Sequence, residues 1–166
     1  GSGLLYIAAA KGFYADEGLD VTLQPYTSGL DAMNAAIEKR ADLGTTGDVP
    51  LMFAAMDNRP VSVVATIFTA GGAHGVVARR DRGISSLADL KGKVIGVTRR
   101  TDGDFILSTM AAQHQTSLNE LRIEPLPPEK MVEAIMAGKV DAVSTWEPWL
   151  SNVSKALGEN AVAFRA

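Results

Sequence analysis

Two kinds of hydrophobic pattern alternate along the chain. Short stretches that alternate, or that are rich in apolar and β-branched residues, predict strands at 19–26, 41–47, 60–68, 90–98, 121–126, 140–145 and 161–164, and a second region begins at 76–80. Stretches with apolar residues at helical spacing predict helices at 4–17, from 28–31 onward, at 49–56, from 101–104 onward, at 127–138 and at 146–157. Strands that alternate with helices predict an α/β protein built from βαβ units with mainly parallel sheets.

The order of these elements occurs twice. Residues 31–53 repeat as residues 129–151, and residues 18–26 repeat as 120–128. Each copy of the longer segment reads as an amphipathic helix, a turn, a short strand and a proline that opens the next helix. The aligned positions are Met33 with Met131, Ile37 with Ile135, Asp42 with Asp141 and Pro50 with Pro148. Two similar units predict two lobes with a ligand-binding cleft between them.

The repeat also places the boundaries of the lobes. Lobe 1 is predicted at 1–75 and lobe 2 at 76–166, joined at a glycine-rich crossing, TAGGAHG, at 69–75. In lobe 1 the strand that should precede Leu4 is missing, and lobe 2 shows no return to lobe 1. We therefore expect a fragment, incomplete at both ends. Unpaired strand edges predict dimerisation or strand exchange.

Composition narrows the classes of partner. Hydrophobic residues make up 46% and charged residues 21%, with a net charge of −3, so neither nucleic acid nor an anionic membrane is an expected partner. No run approaches the ~20 apolar residues of a membrane-spanning helix. The absence of cysteine excludes disulfides, thiolate metal sites and cysteine nucleophiles.

Four segments combine a strand end with a helix start. In α/β sheets such positions border the ligand site, and the free backbone N–H groups of a helix start favour an anion or a polar head group. A single segment of this kind is more often only a helix cap, but here the arrangement recurs in both halves. The segments are Thr27–Leu30, Thr46–Pro50, Arg99–Asp104 and Ser144–Pro148.

Charged residues near these helix starts leave the sign of the ligand open. Arg99 or Arg100 could fork onto a sulfonate, carboxylate or nitrate, or both could be solvated surface residues. Asp48, Asp102 and Asp104 would repel an anion unless they cap helices, with Asp48 as the expected N-cap of its helix. If these aspartates face the cleft, a cationic or amine ligand becomes the alternative.

Aromatic and acidic residues at the last helix start carry two interpretations each. Trp146 is predicted to begin the last helix, where it either stacks on a ligand in the cleft, which is favoured, or packs in the core; Trp149 is predicted in the core. Glu147 either binds the ligand or completes a capping box with Ser144.

Catalytic signals are weak. Neither His74 nor His114 lies in a triad-like pattern, and an isolated histidine is more often a surface or structural residue. No zinc-protease, dinucleotide or P-loop motif occurs. We expect no enzyme activity, no cofactor and no metal.

Three segments together resemble a known family. KGFYADEGLDVTL, SLADLKGKVIGV and AGKVDAVSTWEPW are similar to the NMT1/THI5-like type II periplasmic binding proteins, relatives of the sulfonate, taurine and nitrate binding components of ABC transporters. The resemblance implies two α/β lobes enclosing a ligand, an extracytoplasmic location and delivery to an ABC permease. It maps ligand contacts onto Ser28, Gly29, Gly47, Asp48, Val49, Arg100, Thr101, Asp102, Trp146 and Glu147.

The resemblance implies an ABC-transporter solute-binding protein that closes on a small anion by hinge motion. One departure concerns Arg100, which stands where the family commonly has glycine. A ligand-sensing input domain of a membrane-bound signalling protein is the alternative function. Thiamine-pyrimidine precursor binding or synthesis ranks below both, because the related synthases depend on a cysteine-rich motif that this chain lacks.

Overall fold

The elements of the fold are those of an α/β protein, as predicted. The structure, a computed structural model, describes residues 2–69, 71–114 and 117–166. Its helices are α1 Gly3–Lys11, α2 Phe13–Asp16, α3 Gly29–Ile37, α4 Asp48–Met56, α5 Asp102–Gln113, α6 Met131–Met136 and α7 Trp149–Leu157. Its strands are β1 His74–Arg79, β2 Val94–Val97, β3 Arg122–Pro125, β4 Ala142–Trp146 and β5 Ala161–Arg165.

One five-stranded sheet organises residues 71–166, which we call the C-terminal half. The strand order is β3-β2-β4-β1-β5. Strand β2 pairs in parallel with β3 and β4, and the crossovers run through α5 and α6, which matches the predicted βαβ units. Strand β1 runs antiparallel to both β4 and β5. The sheet is therefore parallel on one side and antiparallel on the other.

Two apolar clusters cover the two faces of this sheet. On one face Val76 and Val97 pack with Leu107 of α5. On the other face Val77 packs with Ile135 of α6 and Leu150 of α7. Neighbouring residues of β1 thus point to opposite faces, as the period of a strand requires. Burial on both faces fixes the sheet firmly, and with it the start of every helix that follows a strand.

The N-terminal half, residues 2–69, differs from its prediction. None of the predicted strands at 19–26, 41–47 and 60–68 forms a paired strand among the described residues. Large apolar side chains of these segments are exposed: Leu19 is 56% exposed, Leu43 74% and Val64 78%. Alternating and β-branched residues favour extended backbone, but a strand also needs a hydrogen-bonding neighbour. The predicted dimerisation or strand exchange stays a prediction.

The first helix is also shorter than predicted. It ends at Lys11 because Gly12 has a φ of 77°, in the left-handed region that terminates helices, and α2 begins anew at Phe13. Phe13 is 54% exposed. Among the described residues, no helix is both long enough and apolar enough to cross a membrane.

Candidate functional site

Three helix starts converge at the contact between the two halves. An ideal Cβ on Gly29, at the start of α3, would lie 2.9 Å from Thr46 Cα, just before α4. An ideal Cβ on Gly47, the N-cap of α4, would lie 2.7 Å from Oδ2 of Asp102 in the first turn of α5. Because neither glycine carries a side chain, α3 lies close to the backbone of Thr46, and the Asp102 carboxylate lies close to the start of α4.

The cap of α3 has the predicted chemistry. The hydroxyl of Ser28 accepts a hydrogen bond from Asp31 N at 3.1 Å and donates one to Asp31 Oδ2 at 2.6 Å. Ser28 is buried, and Val49 of α4 is buried as well. Thr46 Oγ1, between α3 and α4, is buried and has no hydrogen-bond partner in the part of the chain that the structure describes.

The start of α4 corrects one prediction. Gly47 rather than Asp48 is the N-cap, and Asp48 is the first helical residue, where its Oδ1 accepts from Val49 N at 3.0 Å. Asp48 is exposed, and its carboxyl group neighbours that of Asp102. An acidic residue in a first turn is favourable because the helix dipole is positive there.

Asp102 and His74 form the charged centre of the site. Asp102 Oδ2 lies 4.0 Å from His74 Nε2, and both side chains are partly buried, with 19% and 28% exposed. Burial raises the pKa of the Asp102 carboxyl, His74 opposes that rise, and the neighbouring Asp48 carboxyl adds to it. The site therefore presents two carboxyl groups beside one imidazole.

Asn in place of Asp102 is expected to change how stability depends on pH. A carboxyl with a raised pKa holds its proton more tightly in the folded state, so the parent protein should lose stability as pH rises above the ordinary value of 3.8. Asp102→Asn lacks that loss and should gain in relative melting temperature from pH 3.8 towards neutral. Thermal melts across that range measure the difference.

Asp81→Asn provides the opposite control. A hydrogen bond from Arg79 lowers the pKa of Asp81, so the charged form stabilises the fold above the ordinary pKa. This variant should therefore be less stable than the parent above pH 3.8 and should approach the parent as pH falls below 3.8. Parallel curves for Asp102→Asn and the parent protein would contradict the raised pKa.

Sequence reasoning treated His74 as a structural or surface residue, and the structure places it in the site. His74 begins β1 and lies directly opposite Trp146, the last residue of β4, so the two side chains share one face of the sheet. The available signal was the position of His74 at the end of the glycine-rich crossing. Its partner Asp102 is 28 positions away in sequence, and only the fold brings the two together.

The region around Trp146 corrects two predictions. Trp146 ends β4 and does not begin a helix; α7 starts at Trp149, after Pro148. Glu147 accepts from Ser151 N at 3.0 Å, so it caps α7, and its Oε1 is 3.0 Å from Arg165 Nη2. Hydrogen bonds from Ser151 and then Arg165 lower the pKa of Glu147. Glu147 is thus a helix cap without Ser144.

Ser144 has a different partner from the one predicted. Its buried hydroxyl donates to Gly103 O at 2.7 Å, which ties the first turn of α5 to β4. Thr101, the buried N-cap of α5, donates its hydroxyl to Thr98 O at 2.6 Å. The start of α5 is therefore held rigidly where it meets α4.

Arg99 and Arg100, either of which was a candidate for the anion ligand, both have carboxylate partners. Arg99 Nη1 lies 3.0 Å from Asp104 Oδ1 in the first turn of α5. Arg100 forms an ion pair with Asp57, at the carboxyl end of α4, and its guanidinium lies over the ring of Phe53. The side chain of Arg100 therefore reaches from the start of α5 to the carboxyl end of α4.

The assembled site is smaller than the predicted set. Ser28, Gly29, Gly47, Asp48, Thr101 and Asp102 come together, with His74 and Trp146 beside them. Arg100 and Glu147 serve other contacts. In residues 2–69, 71–114 and 117–166, no group of three histidine, aspartate or glutamate side chains could hold a metal ion.

Comparison with known proteins decides the family. A family described as NMT1/THI5 like matches residues 2–166. The chain belongs to this family. It is 27% identical over 155 residues to a protein of Brucella abortus (strain 2308) whose name gives it a binding role, covering 93% of this chain and 47% of the relative. It is 25% identical over 150 residues to the taurine-binding periplasmic protein of Escherichia coli (strain K12), covering 90% and 46%.

Solved structures show the same fold. The alkanesulfonate-binding protein SsuA from Xanthomonas axonopodis pv. citri, bound to MOPS, superposes with a TM-score of 0.86 at 24% identity, over 97% of this chain and 56% of that one. The chain spans about half the length of the relatives that it matches. These structures confirm the periplasmic-binding-protein-like α/β class expected from the sequence.

Proposed function

We propose that the protein is an extracytoplasmic solute-binding protein that holds a small sulfonate, taurine or nitrate type ligand and delivers it to an ABC permease. The observation that carries this proposal is the convergence of the starts of α3, α4 and α5 at Gly29, Gly47 and Asp102. Backbone N–H groups at helix starts bind anionic groups without a bond being made or broken. The names of family relatives as sulfonate-binding and taurine-binding proteins support the same ligand class.

The charges of the site favour a zwitterion within that class. The helix starts suit a sulfonate, whereas Asp102 and Asp48 suit a hydrogen-bond donor or a protonated amine. Both nearby arginines are paired elsewhere, so they do not offset the two carboxylates. Taurine carries a sulfonate and an ammonium group two carbons apart, and it fits this distribution of charge.

Hinge closure is the proposed mechanism. The crossing at 71–75 joins the two halves and contains Gly72 with a φ of 68°, a conformation that glycine adopts without strain. A ligand that touches both halves favours the closed conformation by its contacts in that state. No residue of the site needs to act as a nucleophile or a general base, so we propose binding without catalysis.

Isothermal titration calorimetry with a panel of small ligands tests this function. The panel contains taurine, propane-1-sulfonate, nitrate and an aminopyrimidine. We expect micromolar binding of taurine, equivalent to about −8 kcal/mol, which several helix-end contacts can supply in a partly buried site.

Two outcomes would count against the proposal. Absence of heat with all four compounds would refute the proposed ligand class. Binding of the aminopyrimidine alone would favour the thiamine-precursor function, for which one relative, from Haemophilus influenzae, is named.

A further inference from the structure

We infer that Arg100 is a positioning residue that holds the C-terminal half against α4 and thereby sets the balance between open and closed conformations. This inference rests on the proposed function for its ligand readout, although its structural readout does not need a ligand. Arg100 was predicted to touch the ligand. Its side chain instead contacts Asp57 and Phe53 of the other half. We call these contacts the latch.

The side chain of Arg100 makes its contacts at the carboxyl end of α4. The guanidinium forms an ion pair with Asp57, its Nη2 is 3.5 Å from Phe53 O, and its Cζ is 4.7 Å from the centre of the Phe53 ring. Asp57 follows the last residue of α4, where the helix dipole is negative and a cation is favourable. One side chain thus binds a charge, a carbonyl and an aromatic face of the other half.

The backbone of Arg100 is fixed for this task. Its φ is 62°, in the left-handed region, and its N–H donates to Asp104 Oδ2 at 3.0 Å. A left-handed residue other than glycine carries backbone strain, which the surrounding contacts must offset. The neighbouring Thr101 is buried and begins α5. The direction in which the Arg100 side chain extends from the backbone is therefore coupled to the start of α5.

Helix α4 is held at both of its ends by the C-terminal half. Its first end meets Asp102 at Gly47, in the candidate site, and its last end meets Arg100. Helix α4 therefore cannot rotate away from the C-terminal half unless one of these two contacts breaks. Arg100 therefore fixes the angle at which α4 presents Gly47 to the ligand, while making no contact there itself.

The strength of the latch suits a reversible motion. Arg100 and Asp57 side chains are each 46% exposed, so solvent screens their ion pair. The stacking on Phe53 adds a modest attraction at an exposed position. We expect loss of the latch to weaken ligand binding roughly three- to tenfold, because part of the binding free energy must then close the protein.

The test compares two variants that remove the latch from opposite sides. Arg100→Gly deletes the side chain and tolerates the φ of 62°, and Asp57→Asn removes the partner charge. Arg99→Gln is the matched control, because Arg99 pairs with Asp104 within its own half. Since the chain has no cysteine, Asp20→Cys and Glu159→Cys can carry spin labels, one in each half.

Double electron–electron resonance measures the distance between the two spin labels without ligand and gives the first readout. Arg100→Gly and Asp57→Asn should both broaden and lengthen the distance distribution, their combination should add nothing further, and Arg99→Gln should match the parent. Unchanged distances in Arg100→Gly would overturn the inference even if every ligand binds. Equal broadening in Arg99→Gln would overturn it too.

Calorimetry gives the second readout. Affinities for taurine and for propane-1-sulfonate should fall by the same factor in Arg100→Gly, since a latch changes closure and not ligand choice. A change in their ratio would instead assign Arg100 to the ligand and refute the positioning role. If neither compound binds the parent protein, the proposed function fails while the distance measurement still decides the latch.

Discussion

Replacement of Gly103 by alanine is expected to lower the free energy of unfolding by about 1–3 kcal/mol. Gly103 is a buried residue in the first turn of α5, and a Cβ there would lie 2.6 Å from Ser144 O and 3.2 Å from Ser144 C. Both atoms belong to the backbone of β4, a central strand paired on both sides. The clash therefore cannot be relieved by turning a side chain.

The expected loss of stability is opposite in sign to the effect of helix propensity. Helix propensity alone would make alanine more stable than glycine by about 1 kcal/mol. Gly3→Ala in α1 is the control, because a Cβ at Gly3 meets nothing within 4 Å and should show only the propensity gain. Urea unfolding followed by circular dichroism measures both variants. A Gly103→Ala protein as stable as the parent would show that α5 does not sit tightly on β4.

The C-terminal half could be predicted from sequence because its central strands, β1, β2 and β4, are buried on two faces. Runs such as 94–97 and 142–145 are β-branched or small and lie between helices of clear periodicity, which leaves few alternatives. The register and the antiparallel course of β1 were not predicted, because pairing direction depends on contacts between distant segments. The boundary at Trp146 was misplaced for a similar reason: its spacing from Trp149 and Leu150 is helical, but pairing with β1 extends β4 to Trp146.

The N-terminal half shows the limit of a periodic pattern. Residues 60–68 have the β-branched composition of a buried strand, yet Val63 is 66% exposed and Val64 is 78% exposed. A pattern records which backbone conformation a segment favours, and it cannot supply the neighbouring strand that makes a sheet. The exposed apolar surface of this half is therefore a feature that only the structure reveals.

The sequence predicted which helix starts border the candidate site, but it left the charge of the site open. Capping signatures in the sequence located the helix starts at Ser28 and Thr101, but they placed the N-cap of α4 at Asp48, one residue after Gly47. The roles of His74 and Arg100 were missed because each depends on a partner in a distant segment, Asp102 in one case and Asp57 in the other. The sequence left the sign of the ligand open, and the structure places two carboxyl groups and an imidazole at the converging helix starts.

The carboxyl groups at the site lead to the largest expected effect on ligand binding. If Asp102 accepts the ammonium group of the ligand, the parent protein should bind taurine about ten- to a hundredfold more tightly than propane-1-sulfonate, since hydrogen bonds to charged groups contribute roughly 1.5–3 kcal/mol. The two compounds have the same sulfonate and nearly the same shape, and they differ in an ammonium against a methyl group. Asp102→Asn should reduce the preference to about threefold or less, because an amide carries no charge to attract the ammonium.

Glu133→Gln separates this local effect from a change in overall charge. Glu133 is an exposed partner of Lys130 on α6, and its replacement alters the net charge by the same amount as Asp102→Asn. Titration calorimetry of the three proteins with both sulfonates should find the preference for taurine in the parent and in Glu133→Gln alone. Equal affinities for the two compounds in the parent would leave sulfonate binding intact but remove Asp102 from ligand choice. A preference that survives in Asp102→Asn would place the ammonium group elsewhere, with the exposed Asp48 carboxylate as the next acceptor to remove.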